Sequence, residues 1–468
     1  MKREDMQPVF SFKSRGACNK IFSLSDEELA RGVVAVSAGN HAQGVALAAK
    51  NRGIPATIVM PKTTPNIKVE SVRNFGADIV LHGDTYDDAS VYANHLASEK
   101  HMPLIHPYDD ELVIAGQGTV AMEICEQLGS DIDAVFVAVG GGGLLAGVAA
   151  YIKGLYPTIK VIGVEPENSN CLDAALKAGE RVVLDRVGIF ADGVAVKQIG
   201  EEPFRVLKDN VDEMILVSVD EICAGIKDIF EETRTIEEPA GALAIAGAKK
   251  YMKATGATGK TFVTINCGAN MNFDRLRHVV ERADIGEDKE GIFAIRLAEN
   301  AGAFRKFCQD IGEQYSVSEF NYRYVSDEKA HIFLGLRFEK ATEEKQAFIQ
   351  KMQALGYEIF DLSDNEVAKL HLRYMVGGVP NSPIANERVY RFQFPERPGA
   401  LLEFLTHFDS HWNVSMFHYR NHGAAYGRVL LGVQLSDADV PVFLERLSGY
   451  SYFDETENIA YEYFLKRS

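Results

Sequence analysis

The chain is poor in the residue patterns that most quickly classify a protein. It has six cysteines, Cys18, Cys125, Cys171, Cys223, Cys267 and Cys308, and no two of them form a CxxC pair. That excludes a disulfide framework and argues against structural zinc, so no metal is expected. Reduced thiols in a cytoplasmic protein are the simple reading. The opening residues Met1-Lys2-Arg3-Glu4-Asp5 lack an apolar h-region, so no secretory signal is read there. Basic charge is scarce as well. The 49 Lys and Arg face 66 Asp and Glu, a net −17, which excludes a global attraction to nucleic acid or to an anionic membrane. Long uncharged runs are few. Ala134 to Ile152 approaches the length of a membrane span. Four glycines in its middle divide it instead into a strand (Ala134–Val139), a glycine loop and a helix (Leu144–Lys153). No membrane partner is expected.

What is present is ordinary for a globular chain: 46% hydrophobic and 25% charged residues, ample for a sizeable core. At roughly 150 residues per domain the length implies about three domains. From residue 30 to about 280, short apolar runs alternate with Ala-rich helical ones. Gly32–Val36, Ala56–Met60, Asp78–Leu81, Ala134–Val139, Val161–Val164 and Thr261–Ile265 read as strands. Helices are expected through Ala49 and over Asp87–Lys100. The strands are apolar throughout, as when helices cover both faces of a parallel sheet, so the architecture is α/β.

The last third repeats itself at an offset of 97 residues. Ile292–Phe304 parallels Val389–Leu401, Ser318–Arg323 parallels Ser415–Arg420, and Gly335 parallels Gly432. A later pair, Gly356-Tyr357 and Gly449-Tyr450, stands at offset 93. Each copy reads strand, Gly turn, helix, strand, strand, helix, strand, a ferredoxin-like α+β module. Two copies make a duplicated domain, not a solenoid. Val376–Ser382 reads as the linker between them.

Three local patterns carry chemistry. Gly140, Gly141, Gly142 and Gly143 follow a strand and precede a helix opening at Leu144. Free backbone N–H groups at a helix N-terminus make a phosphate cradle. Gly141-x-Gly143-x-x-Ala146 also fits a dinucleotide fingerprint, with Glu165 ending the next strand where a ribose-binding acid would lie. A nicotinamide dehydrogenase is therefore one reading. Ala254–Thr261 fits a relaxed Walker A pattern, but it follows a helix and precedes a strand, the reverse of a true P-loop. Ser37-Ala38-Gly39-Asn40-His41 is the second pattern. It suits a carboxylate ligand at a helix N-terminus, or is simply a helix cap. The third is Lys13, which follows Phe10 and Phe12 in an apolar run. A desolvated lysine has a lowered pKa and can act as nucleophile or base.

Together these segments resemble one family. Ser11-Phe12-Lys13, Ser37–Gly44, Gly140–Leu144, Ala191–Val196, Glu238–Ala242 and Cys267–Asn272 are similar to motifs of the threonine/serine dehydratases, pyridoxal-phosphate enzymes of the tryptophan-synthase-β fold type. The repeated Phe320–Arg323 and Phe417–Arg420, with His371–Gly378, narrow the resemblance to the biosynthetic threonine ammonia-lyases, and it runs essentially end to end.

The resemblance implies a catalytic domain over 1–285 with parallel sheets and helices on both faces. It implies tandem ACT-like regulatory domains over 289–363 and 386–468, joined by a helix and linker over 364–385. It implies that Lys13 carries pyridoxal phosphate covalently and removes the substrate α-proton. Phe12 would pack on the ring, Asn40 would bond the ring oxygen, and Gly140–Gly143 with Leu144 would hold the phosphate. Cys267, where many relatives have Ser, would face the pyridine nitrogen. Ser37, Gly39, Asn40 and His41 would receive the carboxylate of L-threonine. Isoleucine and valine would be the effectors, in a cytoplasmic homotetramer. Members of the family usually carry a few tens of residues ahead of the Lys2–Asp5 segment, including a strand leading into the lysine motif. A chain that binds effectors but is catalytically impaired is the alternative that this raises.

Overall fold

Runs such as Val33–Val36 (VVAV) and Ala134–Ala138 (AVFVA) carry no polar side chain on either face, so they are stable only between two apolar layers. The computed structural model of the chain puts them there: every residue of both strands is buried. It describes residues 1–298, 302–323, 329–339, 341–374, 380, 382–395, 399–409, 411–420 and 426–466. The chain divides into two units, Met1–Gly286 and Glu287–Ser468.

The first unit holds two all-parallel sheets. One has five strands in the order Lys2–Arg3, Phe262–Asn266, Ala134–Ala138, Lys160–Pro166, Glu213–Val217. The other has three, Val33–Val36, Ala56–Met60 and Asp78–Leu81. Ahead of the lysine motif a two-residue strand, Lys2–Arg3, pairs with Ile265 and Asn266. Asp78–Leu81 departs from the expected fully apolar environment. It is a sheet edge and its outer residues are exposed.

Helix ends follow local chemistry. Asn40–Arg52 stops at Gly53, whose φ of 73° an L side chain resists. Ser218 and Glu221 close a capping box at the start of Val219–Thr233. The glycine loop opens a helix over Gly143–Leu155, slightly longer at both ends than expected. Among the described residues no helix is long and apolar enough to cross a membrane. The Walker-like segment is the turn between helix Leu243–Thr255 and strand Phe262–Asn266, and its Lys260 is paired with Asp133 at 2.8 Å.

The second unit is an antiparallel eight-stranded sheet. Its order is Glu358–Asp361, Glu290–Ala298, Lys329–Arg337, Ser316–Arg323, Asn413–Arg420, Tyr426–Gln434, Glu387–Pro395, Ser451–Asp454. The first four strands belong to one repeat and the last four to the other. The repeats join where Ser316–Arg323 pairs antiparallel with Asn413–Arg420. In that register Asn321 lies opposite His418, its own equivalent 97 residues on, so a local twofold passes between them. A short helix over Glu366–Leu370 follows the first repeat. Met375–Val379 and Asn381, most of the expected linker, lie outside the described residues, as do Glu299–Ala301 and Glu396–Pro398 of the repeated Gly turns.

Candidate active site

The lysine segment is held by the end of a neighbouring strand. Ser11 bridges Gly268, the Phe12 N–H donates to the Cys267 carbonyl, and the Ala269 N–H donates to the Phe10 carbonyl. This fixes Lys13 at the start of helix Lys13–Phe22, with buried Phe12 beside it and the Lys13 amine 5.1 Å from that ring's centre. The amine donates to the Pro107 carbonyl at 3.0 Å. Burial lowers its pKa from 10.5 to about 8, against the opposing pull of Cys267 and Glu238. The Cys267 thiol is buried and donates to the Ala240 carbonyl. Burial pushes its pKa well up, so it is a neutral thiol.

Asn40 is the first residue of helix Asn40–Arg52. Its Oδ1 accepts from Asn270 Nδ2 at 2.7 Å, and its Nδ2 donates to Glu238 Oε1 at 2.6 Å. Ser37 Oγ accepts from the Gly39 N–H, and a side chain at Gly39 would enter open space. His41 is arranged differently from Ser37. Its ring is buried and its Nε2 lies 2.8 Å from the Ile105 carbonyl, to which it must donate. Burial and the Lys13 charge lower its pKa to about 3. It is therefore a neutral imidazole turned into the protein, and its contribution to this pocket is its backbone N–H. The N–H groups of Asn40, His41 and Ala42 have no intrahelical acceptor, as in any first turn.

The glycine loop is crowded on the protein side. A Cβ at Gly140 would meet Val194, one at Gly141 would overlap the Tyr108 ring, and one at Gly143 would press on Tyr108 Cα. Gly142 has a φ of 94° and would meet Ile199 and Pro203. Among the described residues the N–H groups of Gly140 through Leu144 have no protein acceptor. Five adjacent unsatisfied donors at the N-terminus of a 13-residue helix suit a phosphate dianion.

One connecting segment, Ile105–Tyr108, ties these parts together. Ile105 receives His41, Pro107 receives the Lys13 amine, and Tyr108 packs on the glycine loop. Sequence reading missed this segment, which carries no motif. Glu238 and Asn270 stood inside matched motifs, but nothing in their own sequence assigned them a role. Glu165, the candidate ribose acid, faces elsewhere. It is fully buried and its two oxygens accept from the N–H groups of Leu172 and Asp173, so it caps a helix and offers nothing to a nucleotide. Among the described residues no group of three or more His, Cys, Asp or Glu is arranged to hold a metal.

A ligand with a phosphate at one end and an amine-reactive carbonyl fits this set. The donors of Gly140–Leu144 would take the phosphate and the Lys13 amine the carbonyl. The second N–H of Asn40 Nδ2 is left for a ring oxygen, and Cys267 would lie against an uncharged ring nitrogen.

Comparisons with known proteins name such a ligand. A family model described as pyridoxal-phosphate dependent enzyme matches residues 1–268. A second, described as the C-terminal regulatory domain of threonine dehydratase, matches residues 281–372 and 381–465. The chain is 55% identical to biosynthetic L-threonine dehydratase of Pasteurella multocida, over 99% of this chain and 90% of that protein. It is 50% identical to the mitochondrial threonine dehydratase of Saccharomyces cerevisiae, over the whole of this chain and 83% of that protein. Among solved structures, the processed form of threonine deaminase isoform 2 from Solanum lycopersicum matches with a TM-score of 0.60 and 49% identity. That match covers 60% of this chain and 78% of the tomato chain.

Proposed function

The chain belongs to the pyridoxal-phosphate-dependent threonine dehydratases, and from that premise we propose that it converts L-threonine to 2-oxobutanoate and ammonia, with Lys13 as the catalytic residue. The observation that carries this reading is that the half-buried Lys13 amine donates to Pro107, next to Tyr108, which packs on the glycine loop whose N–H groups have no acceptor among the described residues.

When bound, pyridoxal phosphate supplies an electrophilic carbon for amines and an electron sink for the charge left when an α-proton departs. The rest falls to the chain. Lys13 would hold the cofactor and, when free of it, would take the α-proton at Nζ. Its pKa, lowered to about 8 by desolvation, leaves more of that amine neutral near pH 7 than in an ordinary lysine. With the cofactor supplying that sink, loss of the β-hydroxyl as water would balance, since the hydroxyl needs one proton and the α-carbon has given one up to Lys13 Nζ. Water then displaces ammonia, so one water is lost and one regained. Gly39 and the first-turn N–H groups of Asn40, His41 and Ala42, with Ser37 Oγ, would receive the substrate carboxylate. Phe12 would pack on the ring and keep water from the amine. Asn40 would donate to the ring oxygen, and Gly140–Gly143 with Leu144 would hold the phosphate. The neutral Cys267 thiol would leave a ring nitrogen beside it unprotonated, which favours elimination over transamination.

For the second unit, the regulatory reading is that the repeats over 289–363 and 386–468, joined by 364–385, bind isoleucine and valine and act on the catalytic domain over 1–285. A homotetramer in the cytoplasm completes the proposal. The test is Lys13→Ala. Loss of turnover and of the cofactor's visible band, with an unchanged circular dichroism spectrum, is expected. Turnover at a comparable rate in that variant would sink the assignment.

A further inference from the structure

Asn40 reaches its place through a directional chain of hydrogen bonds that ends on an acid. Val9 offers a carbonyl, so the atom of Asn270 that meets it at 2.9 Å must be the amide nitrogen. The same nitrogen donates to Asn40 Oδ1, which leaves Asn40 Nδ2 facing Glu238 Oε1 at 2.6 Å. One N–H of Asn40 is thereby spent on Glu238 and its direction is set, while the other is free. Room for this contact is made by absent side chains. A Cβ at Gly268 would stand 2.6 Å from Glu238 Oε1 and 3.2 Å from Asn40 Nδ2, and a Cβ at Gly193 would stand 3.5 Å from the same carboxylate oxygen. The Glu238 backbone N–H donates to the Gly268 carbonyl, so the acid is anchored at both ends.

We propose that Glu238 is a positioning residue whose carboxylate fixes the Asn40 amide toward the ring oxygen of the cofactor, and whose protonation loosens that amide. The inference rests on the proposed cofactor reading. Glu238 is buried among groups that pull both ways. Burial and Asp192 favour its protonated form, while Asn40, Lys68 and the Asn270 backbone N–H favour the carboxylate, and the balance stands at about 7. Asp192 is itself tied to Lys68 at 2.8 Å and to Arg275 at 3.1 Å. Glu237, Cys267 and Lys13 complete the titratable groups around it. A charged acceptor orients an amide more strongly than a neutral acid does, and the difference falls inside the working pH range.

The experiment is a pH titration of the visible band of the loaded protein, with a binding isotherm of pyridoxal phosphate on the apo-protein, for wild type, Glu238→Gln, Asn40→Ala and the double variant. Wild type is expected to show a spectral transition in the neutral range that both single variants lack. Glu238→Gln should weaken cofactor binding by about 10-fold, the scale of a hydrogen bond to a charged group. The double variant should bind no more weakly than Asn40→Ala, because Glu238 acts through Asn40. A transition that survives in the single variants, or losses that multiply in the double, overturns the proposal. Should Glu238→Gln fail to fold, the wild-type and Asn40→Ala titrations decide alone. Wild type that takes up no pyridoxal phosphate, or yields no borohydride-trapped adduct on Lys13, defeats the cofactor reading itself and the inference with it.

Discussion

Single residues in this protein matter most where burial and charge conflict. Glu237 is the sharpest case. It is fully buried, and the Arg3 charge and the Asn266 side chain only partly favour its carboxylate form. Burial, with Asp5 and Glu238 nearby, raises its pKa from 4.5 to about 9. Between those values the folded protein holds a proton that the unfolded chain has released. Stability contributed at low pH is therefore lost as pH rises through that window, at up to about 1.4 kcal/mol per pH unit. Glu237→Gln removes this one slope. Urea midpoints at about pH 6 and about pH 8 should fall less in the variant than in wild type, and parallel profiles would show that Glu237 titrates normally. The Lys13 motif teaches a related lesson. Its sequence shows an apolar run before a lysine, but only the fold supplies the desolvation that lowers the amine's pKa and the Pro107 carbonyl that receives it.

At the scale of elements, the repeats share a device that the sequence displays without explaining. Glu290, Ser318 and Gly335 recur 97 residues on as Glu387, Ser415 and Gly432. In each copy the serine donates to the glutamate, and the bare glycine leaves space beside both. Each buried glutamate then takes an arginine from outside its own copy. Arg373, from the segment after the first repeat, meets Glu290 and Glu319, each at 2.8 Å. Arg323, from the first copy, crosses the seam to Glu387, which also accepts from Tyr461. Removing one partner of such a pair strands a buried charge, so Arg323→Met should cost about 3–5 kcal/mol in the second unit. Adding Glu387→Gln should recover part of that loss, and hydrogen exchange across Asn413–Arg420 in the full chain reads both. Losses that simply add would mean that the pair is not coupled. The repeat, the strand–helix alternation and the glycine loop were all legible, because each is a local pattern of period or composition. Ile105–Tyr108 and Glu165 were not. Their roles depend on which distant backbone they meet, and Glu165 in particular matched a fingerprint whose carboxylate the fold spends on a helix cap.

At the scale of the molecule, two units of opposite sheet chemistry lie in one chain: parallel and doubly covered over Met1–Gly286, antiparallel over Glu287–Ser468. Control of the first by the second requires effectors that bind its two states with different affinity, a coupling of about 1–3 kcal/mol. The central claim is simpler and comes first: Lys13 carries the cofactor and the chain is a threonine dehydratase. The most direct test is the visible absorbance spectrum of the purified chain supplied with pyridoxal phosphate, recorded before and after adding threonine, with 2-oxobutanoate assayed alongside. The account expects a band that threonine changes, keto acid that accumulates, and a rate that isoleucine lowers. A protein that stays colourless and forms no keto acid would contradict it.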